Sequence, residues 1–199
     1  MKKNNFRYSD AITTARIIWV AIFSINICFK PQMFGLIPGL LLIAFIFATD
    51  ALDGMVARKL GETSKSGAFF DIVADRITET ALLVPFIYLK VASPIVLIFF
   101  LVKDFLVDHI RFKKFILASE VPFKQLTDPL NTFLVSSRFM RALYGALKMV
   151  MVFVFYALIF YTNADLKRIG TIVTVFTMLV ALARTIPVFI EYYKQADSD

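Results

Sequence analysis

Six predominantly apolar stretches of roughly twenty residues, each closed by turn-forming residues, dominate this sequence. They run over about residues 12–29, 36–60, 67–89, 93–116, 136–161 and 169–193. A helix of about twenty residues matches the hydrocarbon thickness of a bilayer. In lipid, every backbone N–H and C=O must find a partner within the protein, so helices are the structure such runs dictate. The breakers agree with the division. Pro31 and Pro38 bracket the first turn, and Gly61 to Ser66 form the second. Ala92-Ser93-Pro94 marks the third, and Asn163-Ala164-Asp165 the last. Glu120 to Asn131, with Pro122 and Pro129, is the longest polar connection. The chain is 59% hydrophobic over 199 residues, more than an ordinary soluble domain of this size needs. The expectation is an all-α integral membrane protein: one domain, residues 1–199, built as a bundle of six transmembrane helices. No soluble domain, linker or internal repeat is visible, and no removable signal peptide is expected.

The net charge is +7. In a soluble protein that balance would suggest nucleic acid. Here the cations cluster at the ends of apolar runs, which points to topology and to anionic ligands at the membrane surface, with no nucleic-acid partner. Lys2, Lys3, Arg7 and Arg16 lie at the start of the first run, and Arg58, Lys59 and Lys65 at the second turn. Arg111, Lys113, Lys114, Lys124, Arg138 and Arg141 surround the fourth, and Lys194 follows the last run. The other side carries only Lys30, Lys90, Lys167 and Arg168. The positive-inside rule then puts both termini on the cytoplasmic side of a multi-pass cell-membrane protein. Cys28, the single cysteine, reads as a small buried hydrophobe.

Four acids interrupt this apolar pattern: Asp50, Asp53, Asp71 and Asp75. Charged groups in membrane segments are costly, and they mark functional sites. Asp50 and Asp53 are three apart and share a helix face, as do Gly67, Asp71 and Asp75 at intervals of four. Two adjacent antiparallel helices would point all four acids into one cavity, where like charges require cations. Hard oxygen ligands suit Mg²⁺, Mn²⁺ or Ca²⁺, and Mg²⁺ commonly bridges carboxylates to phosphates. Gly54, Ala57 and Gly67 leave room for a nucleotide or for close helix approach, and Arg58 is suited to pairing with a phosphate. The plainer reading is a structural network of these acids with Arg58 and Arg76, and the full spacing argues against it.

The stretch from Asp50 to Asp75 resembles the signature of the CDP-alcohol phosphotransferases, D-x2-D-G-x2-A-R-x8-G-x3-D-x3-D, and matches every specified position. The resemblance implies that Asp50, Asp53, Asp71 and Asp75 hold two divalent metal ions, Mg²⁺ or Mn²⁺. It implies that Gly54, Arg58 and Ser64 contact a CDP-linked lipid such as CDP-diacylglycerol, and that Ala57 and Gly67 give the nucleotide space. Asp75 would also be the general base on an acceptor alcohol, whose oxygen attacks the lipid-side phosphorus while CMP leaves. A homodimer in the bilayer, with its active site facing the cytoplasm, is implied as well.

Three further stretches resemble the phosphatidylglycerophosphate synthase branch of that family: Ile12-Thr13-x-x-Arg16, Lys103-Asp104-Phe105-x-Val107-x3-Arg111 and Gly145-Ala146-Leu147-Lys148-Met149. They favour glycerol 3-phosphate as acceptor. The candidate phosphate-binding cations are Arg16, Lys103, Arg111, Arg138, Arg141 and Lys148. In contrast, Asp75-Arg76 resembles the branch that transfers to inositol or inositol phosphate. A reading from another class is a small cation transporter with the acids as its ion path. Lys103 is expected to face the cavity or pair with Asp104 or Asp108, and Glu79 to support the acids from one turn away. His109 has no assigned role, and Trp19 and the phenylalanines read as lipid-facing bulk.

Overall fold

The computed structural model describes residues 8–60, 65–118 and 129–196, with side chains described outside 8–9, 50–66, 68, 111, 113–118, 129 and 195–196. Among the described residues the chain forms seven α-helices and no strand. These are α1 (Tyr8–Phe29), α2 (Leu36–Leu60), α3 (Lys65–Tyr88), α4 (Pro94–Ala118), α5 (Pro129–Ser136), α6 (Arg138–Phe160) and α7 (Ala164–Ala196). Six of them follow the six apolar runs. The seventh, α5, corrects the sequence reading, which left this segment to the polar connection and the start of the fifth run. Pro129 suits a first helical turn because its missing N–H would have no partner there. Ser137 then separates α5 from α6. Its hydroxyl accepts from the Met140 backbone N–H at 3.1 Å, and its carbonyl from Arg141 at 3.2 Å, so it caps α6.

Length and composition single out three helices able to cross a membrane among the described residues: Asp10–Phe29, Arg138–Phe160 and Ala164–Lys194. The purely apolar part of α2, Leu36–Thr49, is shorter. α3 is interrupted by Asp71, Asp75, Arg76 and Glu79, and α4 by Lys103, Asp104 and Asp108. Those charges separate the six expected spans from the three that hydropathy alone supports. The surface is inverted relative to a soluble protein. Ile18, Trp19, Ile22, Ile25 and Phe29 are exposed along one side of α1, while Thr13 and Arg16 are buried on the other. Exposed apolar bulk of this extent belongs against lipid, and the chain is a membrane protein.

The chain divides into two compact units. The first contains α1 to α3, the start of α4 through Leu97, and Phe155–Asn163. In it α1 packs against both α2 and α3. Thr13, Arg16, Val20, Phe23 and Ile27 form the buried stripe of α1, at alternating intervals of three and four. Tyr156, fully buried, donates its hydroxyl to the Gly35 carbonyl at 2.8 Å and packs beside the rings of Phe23 and Phe160. Gly35 turns the chain into α2 with φ 68°, a conformation in which a side chain is strained. α3 ends in a Schellman motif: Lys90 takes the left-handed position (φ 58°), and Val91 N–H bonds the Phe86 carbonyl at 2.8 Å.

The second unit contains Ile98–Val154 and Ala164–Asp199. Here α5 packs against α7. Thr171, Thr174, Thr177 and Thr185 each donate their hydroxyl to the carbonyl four residues earlier, at 2.7 to 3.0 Å. A threonine-rich helix satisfies its own polar groups in this way and stays compatible with lipid.

A Cβ built on Gly39 would collide with the Tyr156 hydroxyl and ring. Gly39→Ala is therefore expected to cost about 1–3 kcal/mol by overpacking. Thermal unfolding in detergent checks it, and an unchanged midpoint would contradict the packing.

Candidate functional site

Two polar clusters interrupt the apolar packing, one in each unit. In the first unit, Asp71 and Asp75 lie one turn apart on α3 and face α1. The Thr13 hydroxyl donates to Asp71 Oδ1 over a long 3.5 Å, and Arg16 Nη2 donates to Asp75 Oδ1 at 3.1 Å. The later donor meets the later acceptor, so α1 and α3 run parallel along this seam. Ala74, fully buried between the two acids, lets the helices approach. The Arg16 side chain is only 2% exposed, whereas that of Asp75 is 44% exposed, so a buried cation holds a half-exposed carboxylate. One turn on, Arg76 Nη1 pairs with Glu79 at 3.3 Å.

The backbone places Asp50, Asp53, Gly54, Ala57 and Arg58 in the C-terminal half of α2. Their side chains lie outside the described residues, as do Ser64 and the side chain of Arg111. Gly67 lies in the first turn of α3, one turn before Asp71. Among the described residues no three acids, histidines or cysteines come together as a metal-binding group.

In the second unit three cations converge on the ring of Tyr144. Lys148 Nζ stands 4.4 Å from its centroid, Arg184 Cζ 5.0 Å and Lys103 Nζ 5.2 Å. Lys103 also donates to the Tyr144 hydroxyl at 3.0 Å and pairs with buried Asp104, one of the two partners anticipated for it. Cations over an aromatic face are attracted by its quadrupole. Lys103, Lys148 and Arg184 thus gather positive charge around one aromatic ring. Arg184 also reaches α5, where its Nε and Nη2 donate to the Leu134 and Val135 carbonyls at 3.3 and 3.4 Å. Those carbonyls lie in the last turn of α5, where no helical N–H is left to satisfy them. Arg138 and Arg141 stand exposed in the first turn of α6, outside this cluster. Sequence reasoning named Lys103 and Lys148 but missed Tyr144 and Arg184. An arginine in the apolar middle of α7 was the available signal.

The profile of the CDP-alcohol phosphatidyltransferase family matches residues 6–182 of this chain, a stretch that takes in all four aspartates. The chain belongs to the CDP-alcohol phosphatidyltransferase family. A protein of Pseudomonas fluorescens named CDP-diacylglycerol--glycerol-3-phosphate 3-phosphatidyltransferase is 37% identical over 75 residues. That alignment covers 38% of this chain and 38% of the relative.

For a member of this family the donor chemistry of α3 is consistent with divalent cations. Asp71 and Asp75 offer hard oxygen ligands from one helix face, and the Asp75 side chain is 44% exposed.

The α5 terminus gives a local test. Arg184→Gln should raise hydrogen–deuterium exchange in α5 by roughly five- to tenfold, the loss of about 1 kcal/mol of hydrogen bonding. Exchange along α1 and α3 should stay unchanged. Equal exchange in α5 would contradict the capping role.

Proposed function

We propose that this chain transfers a phosphatidyl group from CDP-diacylglycerol to glycerol 3-phosphate, releasing CMP. The observation that carries this reading is the family match across residues 6–182. The name of the Pseudomonas fluorescens relative supports the choice of acceptor. In this reading residues 1–199 act as one membrane domain with six transmembrane helices. Both termini and the acids face the cytoplasm, as the distribution of cations supports. The working form is a homodimer.

Asp50, Asp53, Asp71 and Asp75 would hold two divalent cations, Mg²⁺ or Mn²⁺. When bound, such ions would supply positive charge that neutralises the phosphates and makes the phosphorus easier to attack. Phosphoryl-type transfer depends mainly on positioning and charge, which is the work left to the chain. Gly54, Ala57, Arg58, Ser64 and Gly67 would seat the CDP moiety, with the lipid tails remaining in the bilayer. Asp75 would accept the proton of the acceptor hydroxyl. The acceptor oxygen then forms its bond to the lipid-side phosphorus, and the bond from that phosphorus to the CMP oxygen breaks. Lys103 and Lys148, with Arg184 added, would bind the phosphate of the acceptor, and Arg111, Arg138 and Arg141 would draw it in from the surface. The convergence of the first three on Tyr144 supports this division. The Asp75-Arg76 feature, which resembles the inositol branch, has a local explanation, since Arg76 pairs with Glu79.

The test is CMP release from CDP-diacylglycerol by the purified protein. Release should require Mg²⁺ or Mn²⁺, stop on chelation, and fall at least a hundredfold in Asp75→Asn while CDP-lipid binding persists. Metal-independent release, or normal turnover in that variant, would overturn the assignment of Asp75.

A further inference from the structure

The acids of α3 do not stand alone: α1 presents one donor to each. Thr13 meets Asp71 and Arg16 meets Asp75. The two donors are three residues apart on α1, and their acceptors four apart on α3, so both contacts repeat in step along a parallel seam. Both donors are buried, at 0% and 4% exposure, and they continue the packed stripe of Val20, Phe23 and Ile27. Their positions are therefore set by the core rather than by solvent. A buried arginine is costly unless its charge is paired, which keeps Arg16 on Asp75. It meets Asp75 through Oδ1, and the Asp75 side chain keeps 44% exposure.

We infer that α1 is the positioning element of the acid site: Thr13 and Arg16 fix the rotamers of Asp71 and Asp75 in the orientation that a divalent cation would meet. This rests on the reading that these acids bind such a cation. It moves Arg16 from the acceptor-phosphate group to a role exerted through Asp75. Hydrogen-bond partners of metal-ligating carboxylates set ligand orientation, and their loss weakens metal binding by about 10–100-fold. Arg16 also adds positive charge, which by itself would oppose a cation. Variants that keep the charge isolate orientation. Lysine keeps the charge but lacks the planar guanidinium, and the two are not interchangeable at such a contact. Thr13→Val removes the hydroxyl at nearly constant volume and alters no charge.

The experiment measures Mn²⁺ binding by electron paramagnetic resonance on the full chain in detergent, without substrate, alongside turnover. Arg16→Lys should weaken Mn²⁺ binding about tenfold or more, and Thr13→Val about three- to tenfold, with Thr13→Ser restoring it. Raising Mn²⁺ should recover the turnover of both variants, and the KM for glycerol 3-phosphate should stay within about twofold. Unchanged Mn²⁺ affinity with a raised acceptor KM would return Arg16 to the acceptor phosphate and overturn the inference. Affinity unchanged in Thr13→Val, or unrestored in Thr13→Ser, would overturn it even if Arg16→Lys failed to fold. A wild-type chain that binds no Mn²⁺ would instead remove the metal reading beneath it.

Discussion

A carboxylate on an apolar helix needs a partner, and the pairing of Asp75 with Arg16 meets that need in this chain. The geometry of the first unit follows from it. α1 and α3 must run parallel for Arg16 and Thr13 to meet Asp75 and Asp71 in step. Ala74 must be small for the helices to close around the pair. The buried stripe of α1 changes from Ile27, Phe23 and Val20 to Arg16 and Thr13 along a single face. One end of the seam is held by apolar packing, and the other by charge and hydrogen bonds. That division leaves the Asp75 side chain 44% exposed in a membrane protein.

The second unit handles its polar groups by the same rule. The threonines of α7 return their hydroxyls to their own helix, and Arg184 gives its donors to the end of α5. Lys103, Lys148 and Arg184 share the Tyr144 ring, and Asp104 carries part of their charge.

The helices were legible because apolar runs and their breakers are local signals. Asp71 and Asp75 were legible as a pair because a spacing of four puts them on one helix face. What escaped was set by residues distant in sequence. α5 has eight residues, too few to be stable alone, and Arg184 holds its C-terminus from fifty residues away. Arg16 stood out as a cation, but its partner lies 59 residues on, and nothing in the first helix names Asp75. Tyr144 looked like one more aromatic in an apolar run until three cations met on its ring. Of the six expected spans, three stand by hydropathy among the described residues: α3 and α4 carry charges, and the apolar part of α2 is short.

The most direct measurement is the mass spectrum of the lipid made by purified protein from CDP-diacylglycerol and Mg²⁺, with glycerol 3-phosphate, inositol or inositol phosphate offered in turn. Phosphatidylglycerophosphate, with an equal amount of CMP, is expected from glycerol 3-phosphate alone. A phosphatidylinositol product would contradict the acceptor. No lipid product and no CMP with any acceptor, from folded protein, would contradict the transferase itself and favour an ion path through the same acids.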